Sequence, residues 1–217
     1  MMNLAKAIAL SLVGISSLGA IGQSTILAPK HWGLVTWEVR SFLGMTEYQV
    51  VTLANETVLQ ADANASASAL YIEQSIDLNA TPYLQWRWRT DATLGDQIDE
   101  TGKSGDDYAA RVYVVRKGGL AFWRTKALNY VWASNQPLNA RWANPFAGNN
   151  VQMLAVNSGR TQLGQWQHHR RDIKADWQAA FGETIDSLDG IAIMTDTDNT
   201  GLSIRSWYAD VGFTTQR

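Results

Sequence analysis

The chain has 217 residues and a formal net charge of −2, with 18 Lys and Arg against 20 Asp and Glu. That balance, without a run of basic residues, argues against nucleic acid and anionic membrane surfaces as partners. There is no cysteine, which excludes disulfides, a thiolate metal centre and a cysteine nucleophile. Ten Trp and seven Tyr suit a sandwich core and also suit stacking on flat ligands such as sugars. For any single Trp, core packing is the commoner explanation.

Residues 1–22 read as a secretory signal peptide. Lys6 precedes an apolar and small-residue run from Ala7 to Ala20, and Ala20 and Gly22 are the small residues of a cleavage point after Gly22. The run holds several Ser and Gly and is short for a membrane anchor. Export to the periplasm is therefore expected. Residues 23–217 form one domain, long enough to bury a core without staples.

Trp32, Val35, Trp37 and Val39 carry some alternation. Residues 48–53 (Y-Q-V-V-T-L) and 57–61 (T-V-L-Q-A) read as strands around a turn at Ala54-Asn55-Glu56. Residues 64–68 form a small-residue loop, and 69–76 (A-L-Y-I-E-Q-S-I) the next strand. Over 83–90 (Y-L-Q-W-R-W-R-T) the alternation is clean: Leu84, Trp86 and Trp88 share one face, Gln85, Arg87 and Arg89 the other. A polar loop leads into 105–115 (G-D-D-Y-A-A-R-V-Y-V-V), a strand that begins at a pair of carboxylates, Asp106 and Asp107. There Val112 and Val114 take the apolar parity, while Arg111 and Tyr113 take the other. Lys117-Gly118-Gly119 is a turn. Residues 127–133 (A-L-N-Y-V-W-A) place Leu128, Tyr130 and Trp132 on one face. Residues 134–150 read as a long loop, of the kind that is functional or packed by its own side chains. Strands follow at 151–157 and 165–170. Asp172 caps a helix with Ile173, Trp177 and Phe181 on one stripe, and Gly182 stops it. Strands at 188–195 and 204–213 close the chain. About ten strands and one short helix predict an all-β fold: an antiparallel β-sandwich of jelly-roll (galactose-binding-like) type.

Four segments taken together, residues 84–89 (L-Q-W-R-W-R), 105–115, 128–132 (L-N-Y-V-W) and 193–201 (I-M-T-D-T-D-N-T-G), resemble the bacterial domain-of-unknown-function family numbered 3047. The resemblance runs in order across about residues 44–213. It implies an exported envelope protein, mostly of Gram-negative bacteria, and it implies no activity. Residues 207–213 (W-Y-A-D-V-G-F) are also similar to the last strand of galactose-binding-like carbohydrate modules.

Parity selects the candidate ligand-binding residues. Arg87, Arg89, Arg111 and Tyr113 lie opposite the clearest apolar faces. On neighbouring strands they would form one polar, aromatic patch suited to acidic or sulfated sugars. A solvated face of ion pairs explains them equally. Asp107, by parity, should face that patch rather than Asp106, unless the acidic pair is a structural partner of Arg87 or Arg111. Tyr130 and Trp132 are counted with this set. The expectation is that Arg87, Arg111 and Tyr113 share one sheet face.

The run Asp196-Thr197-Asp198-Asn199-Thr200-Gly201 resembles a haloacid-dehalogenase opening, but too little chain follows it for that fold. As a calcium loop it has oxygens at the right early positions, yet Trp207 stands where an EF-hand needs Glu. Asp196 and Asp198 thus remain calcium ligands of an irregular loop, or caps of a tight turn. His168 and His169 are adjacent and cannot face one metal from a strand. No other cofactor is expected. Three functions fit: a periplasmic sandwich that binds a polar, saccharide-like ligand without catalysis; a polysaccharide hydrolase or lyase with an Asp/Arg/Tyr site, which as a hydrolase would need a second facing carboxylate; and a structural envelope protein with a protein-binding face.

Overall fold

The computed structural model describes residues 37–215. The signal-peptide reading of residues 1–22, together with Trp32, Val35 and His31, lies outside the described residues. The strands are β1 (Glu38–Leu43), β2 (Glu47–Leu53), β3 (Glu56–Asn64), β4 (Ala67–Asp77), β5 (Tyr83–Thr90), β6 (Arg111–Arg116), β7 (Lys126–Ala133), β8 (Arg141–Asn144), β9 (Gly148–Ser158), β10 (Gln167–Asp172), β11 (Ser187–Asp196) and β12 (Ser203–Thr214). One helix, α1 (Ile173–Phe181), stands between β10 and β11. A seven-stranded sheet, in the order β1-β4-β11-β6-β7-β9-β8, packs on a five-stranded sheet, β10-β5-β12-β3-β2. Every pairing is antiparallel except β7 with β9. This is the expected all-β sandwich.

Local chemistry explains the elements. Burial along β5 alternates without a break, so Leu84, Trp86 and Trp88 enter the core. Val112 and Val114 of β6, Tyr130 and Trp132 of β7, and Ile191 and Ile193 of β11 meet them from the other sheet. The β2–β3 turn has Ala54 and Asn55 both at positive φ, 49° and 67°, the twist that suits a two-residue hairpin. Asp172 caps α1 by accepting the Ala175 N–H at 3.1 Å, and Gly182 at φ 70° ends it. Tyr208 stitches the sheets together. From β12 its hydroxyl donates to Met194 O at 2.8 Å and accepts from the Arg111 N–H at 3.3 Å.

Several expectations are corrected. The long loop at 134–150 contains β8 and the start of β9. The loop at 64–68 shrinks to Ala65 and Ser66, because β3 and β4 extend into it. Strand β6 begins at Arg111 and not at the carboxylates. Upstream, the Ala109 carbonyl accepts from Thr195 Oγ1 at 3.0 Å and Ser206 Oγ at 2.6 Å. Side chains thus replace the ladder bond at Ala109, while the Tyr108 and Ala110 carbonyls still accept from the Asp196 and Trp132 N–H groups. The largest correction concerns β5 and β6. They belong to different sheets, so the parities of Arg87 and Arg111 point away from each other and the two share no face. Period-2 alternation selects inward and outward within a strand; it carries no information about which strands are neighbours.

Candidate functional site

Three places hold the chemistry-bearing residues. The first is a buried charged node at one end of the seven-stranded sheet. Arg111 is 1% exposed. Its Nη2 lies 3.0 Å from Asp196 Oδ2 and 3.5 Å from Asp106 Oδ1, and its guanidinium sits 4.4 Å from the Tyr108 ring centre. Burial opposes its charge, yet Asp196 and Asp106 hold its pKa above the ordinary value. Asp106 Oδ2 also accepts the Asn144 amide at 2.7 Å. Asp107 binds the 196–201 turn: it accepts the Asn199 N–H at 3.2 Å, the Asn199 side-chain amide at 2.9 Å and the Thr200 N–H at 2.7 Å.

Asp106, Asp107 and Asp196 are all buried. Asp107 is turned onto the 196–201 turn and not toward a patch shared with Arg87. Tyr113 is 7% exposed. Tyr130 and Trp132 are fully buried core residues. The Tyr130 hydroxyl donates to Asp176 Oδ2 at 2.9 Å and Trp132 Nε1 donates to Gly159 O at 3.1 Å. Neither ring can stack on a ligand from there.

The node carries surplus negative charge. Asp107, Asp196 and Asp198 each bring a carboxylate oxygen within 4.8 Å of the others. Burial and the neighbouring Asp107 push the half-buried Asp198 carboxyl up to about 6. Burial pushes Asp196 well above its usual range, against the pull of Arg111, with Asp107 and Asp106 adding like charge.

The second place is a shallow trough on the outer face of the seven-stranded sheet. The outward parity of β4 and β11 is built of small residues, Ala69, Gly190 and Ala192, and these make its floor. A Cβ on Gly190 would lie 2.7 Å from Ile72 O, so only glycine fits this bulge between β11 and β4. Phe42, Tyr71 and Tyr113 provide aromatic walls. Arg40, Glu73, Lys117 and Asp189 rim it. Glu73 pairs with Lys117. Asp189 Oδ2 accepts from Arg116 Nη1 at 3.0 Å and from the Lys117 N–H at 2.8 Å. Of the residues singled out from sequence, Tyr113 reaches this trough. Ala69, Tyr71 and Glu73 lie on the A-x-A-x-Y-x-E parity of residues 67–73, opposite the buried Leu70 and Ile72, and that parity is the local signal the sequence offers for the trough.

The third place is the outer face of the five-stranded sheet, where Arg87 and Arg89 lie. Arg87 pairs with Glu56 and with Asp210, and stacks 5.1 Å from the Trp166 ring centre. Arg89 bonds Asp91 and stacks 5.2 Å from Trp207. Asp210 itself sits at φ 52° in a bulge of β12. Gln85, Arg87, His168, Arg170 and Asp210 border a polar groove here. Its cations are committed to intramolecular partners, as on a solvated ion-paired face. Behind it, the His169 ring lies 4.9 Å from Trp86 and 5.1 Å from Trp88.

Known structures offer distant likenesses. The chain is similar to the family 11 carbohydrate-binding module of the cellulosomal cellulase Lic26A-Cel5E of Clostridium thermocellum, at 10% identity and TM-score 0.46, covering 90% of this chain and 96% of that one. It is similar to the xyloglucanase domain of NopAA, a type three effector from Sinorhizobium fredii, at 11% identity and TM-score 0.43, covering 83% and 94%. Against the glycoside hydrolase domain of Endo-D from Streptococcus pneumoniae R6 the figures are 6% identity and TM-score 0.40, covering 83% of this chain but 22% of that one. No curated protein matches the chain significantly. The family described as "Protein of unknown function (DUF3047)" matches residues 35–212. With nearly all the described residues inside that match, the node, the trough and both sheets included, the chain belongs to the DUF3047 family.

Proposed function

We propose that this protein binds a polar carbohydrate chain in the trough on the seven-stranded sheet, in the periplasm and without turning it over. The observation that carries the reading is the trough's composition: a flat floor of Ala69, Gly190 and Ala192 between aromatic walls, with charged groups around it. Sugars present apolar ring faces and a girdle of hydroxyls, and such a surface answers both. The signal-like residues 1–22 support export. The carboxylates bear on catalysis. Asp106, Asp107 and Asp196 are buried, and Glu73 and Asp189 each already sit on a cation, so neither stands as a free acid at the trough.

Calorimetric titration against neutral and acidic polysaccharides tests this. Binding should weaken about tenfold in Phe42→Ala/Tyr71→Ala, because each lost aromatic contact removes about 0.5–1.5 kcal/mol. Both side chains are part-exposed, so thermal stability should hold. Affinity unchanged in the folded double variant would move the site elsewhere, and Arg87→Ala would then be the discriminating variant for the opposite face.

The proposal includes a structural calcium at Asp107, Asp196 and Asp198. Carboxylate oxygens this close suit a hard, oxygen-seeking cation, and the Asp198 carboxyl, raised by burial and then by the charge of Asp107, is one a cation would help ionise. Millimolar calcium should raise the melting temperature, and Asp198→Asn should abolish the rise. An identical melting curve in calcium and in chelator would remove the ion.

A further inference from the structure

The connection between β6 and β7 turns an apolar tip toward solvent. Residues 116–126 read R-K-G-G-L-A-F-W-R-T-K, with four cations and no acid around Leu120, Phe122 and Trp123. Leu120 is 100% exposed, Phe122 55% and Trp123 62%. The tip is built rather than loose. Ala121 N–H donates to Gly118 O at 3.1 Å, Arg124 N–H to Ala121 O at 2.8 Å and Thr125 N–H to Phe122 O at 3.0 Å. Gly118 N–H donates to Thr125 Oγ1 at 3.2 Å, and the Asn150 amide reaches Trp123 O at 2.8 Å. A Cβ on Gly118 would fall 2.2 Å from Ala121 O, so the loop closes this tightly only with glycine there. A backbone this well bonded holds three large apolar side chains in water, where each is unfavourable.

The geometry distinguishes the occupants such a tip could take. A sugar platform needs a shared flat face. Phe122 and Trp123 meet edge to face, with ring centres 5.2 Å apart and planes at 79°, and Leu120 adds no hydrogen bond. A bilayer interface has no such requirement. It takes Leu, Phe and Trp at the depth of the acyl boundary, with Lys and Arg reaching the headgroup phosphates. One of the four cations, Arg124, is placed for that, while the other three already pair with acids at the base of the loop. Arg116, Lys117 and Lys126 ring the base, held by Asp189, Glu73 and Glu183, and Arg124 stands in the short 3-10 turn of the tip itself.

We propose that the β6–β7 loop inserts into the interface of an anionic phospholipid bilayer and seats the sandwich on a membrane surface. This is independent of what the trough binds. It departs from the absence of a membrane partner expected from net charge, which averages over the whole chain and cannot see an exposed apolar tip beside Arg124. Among the described residues no helix is long and apolar enough to cross a membrane; a seated loop needs none.

Flotation with phosphatidylcholine vesicles, with and without phosphatidylglycerol, tests the proposal. The full chain is compared with Leu120→Ser/Phe122→Ser/Trp123→Ser, so whatever residues 1–22 contribute is common to both. The unsubstituted chain should float with the anionic vesicles, and the triple variant should bind at least about tenfold more weakly at an unchanged melting temperature. Trp123→Ser alone, the smaller change, should show a partial loss in the same direction. Arg124→Glu should weaken binding to the anionic vesicles and leave the neutral ones alone. Equal flotation of the full chain and the triple variant overturns the proposal. So does loss of pull-down by an insoluble polysaccharide in the triple variant with flotation unchanged, which would give the tip to a glycan.

Discussion

Arg111→Ala should cost about 3–5 kcal/mol of stability at neutral pH, the usual consequence of stripping a buried ion pair to one partner. Arg111 is the cation that Asp196 and Asp106 share inside the sheet, at 3.0 Å and 3.5 Å. Removing it leaves those carboxylates buried with Asp107 and without a counter-charge. Burial already raises both carboxyls against the pull of Arg111, and without that pull they would hold protons more tightly still in the folded chain. A carboxyl with a raised folded pKa contributes stability at low pH that is lost as pH rises. The deficit of Arg111→Ala relative to the unsubstituted protein should therefore shrink between pH 7 and pH 4.5. Urea denaturation at the two pH values measures both effects. A deficit below about 1 kcal/mol, in the range of a surface pair, would show that the node is not a centre of stability.

Acid should destabilise the sandwich through His169. Burial, then Arg171 and His168, lower its pKa to about 4 from an ordinary 6.5. Its Nε2 lies 2.7 Å from Asn157 Oδ1, which also accepts the Trp88 Nε1–H at 2.7 Å. An oxygen used as acceptor by both places a proton on Nε2, and the lowered pKa leaves the ring neutral at pH 7. The unfolded chain takes up a proton near pH 6.5 that the folded chain refuses until about pH 4. Stability from this source is full above pH 6.5 and is lost as pH falls toward 4. The shift corresponds to an upper figure of about 3 kcal/mol, nearer 2 kcal/mol once partial solvent access is discounted. His169→Gln keeps a donor for Asn157 and removes the titration. Over pH 7.5 to 4.5 the variant should lose less stability than the unsubstituted protein by about that amount, in urea denaturation. Equal losses in both would assign the acid sensitivity to other groups.

Both predictions rest on residues whose role became visible only in three dimensions. From sequence, Arg111 is an outward residue on a polar parity. That is correct for its side of the strand and misleading about its surroundings. Outward from β6 is not outward from the molecule, because Asp106 and Asp196 close over it from flanking segments. His169 reads as one of two adjacent histidines on an edge strand. Pairing of β10 with β5 sets it opposite Trp86, and only then does its ring meet the two indoles. The tip at Leu120, Phe122 and Trp123 follows the Lys117-Gly118-Gly119 turn and carries no periodicity, so neither net charge nor the Gly-Gly pair reports that its side chains stand in water.

What the sequence by itself determined is what local periodicity and local chemistry encode. The β5 alternation, the inward Val112 and Val114 and the Asp172 cap with its Gly182 stop follow from residues within a few positions of one another, and the all-β class and the family resemblance from such short segments taken in order along the chain. Tertiary structure alone decided which strands are neighbours, and so which outward residues meet. Arg87 and Arg111 were separated into different sheets, Tyr130 and Trp132 were enclosed, and Tyr71, Tyr113 and Gly190 were gathered into one trough. The physical reason is that a strand's parity is set by its own backbone, whereas its partners are set by long-range hydrogen bonding and by the packing of distant apolar faces, on which a strand's own dozen residues are silent.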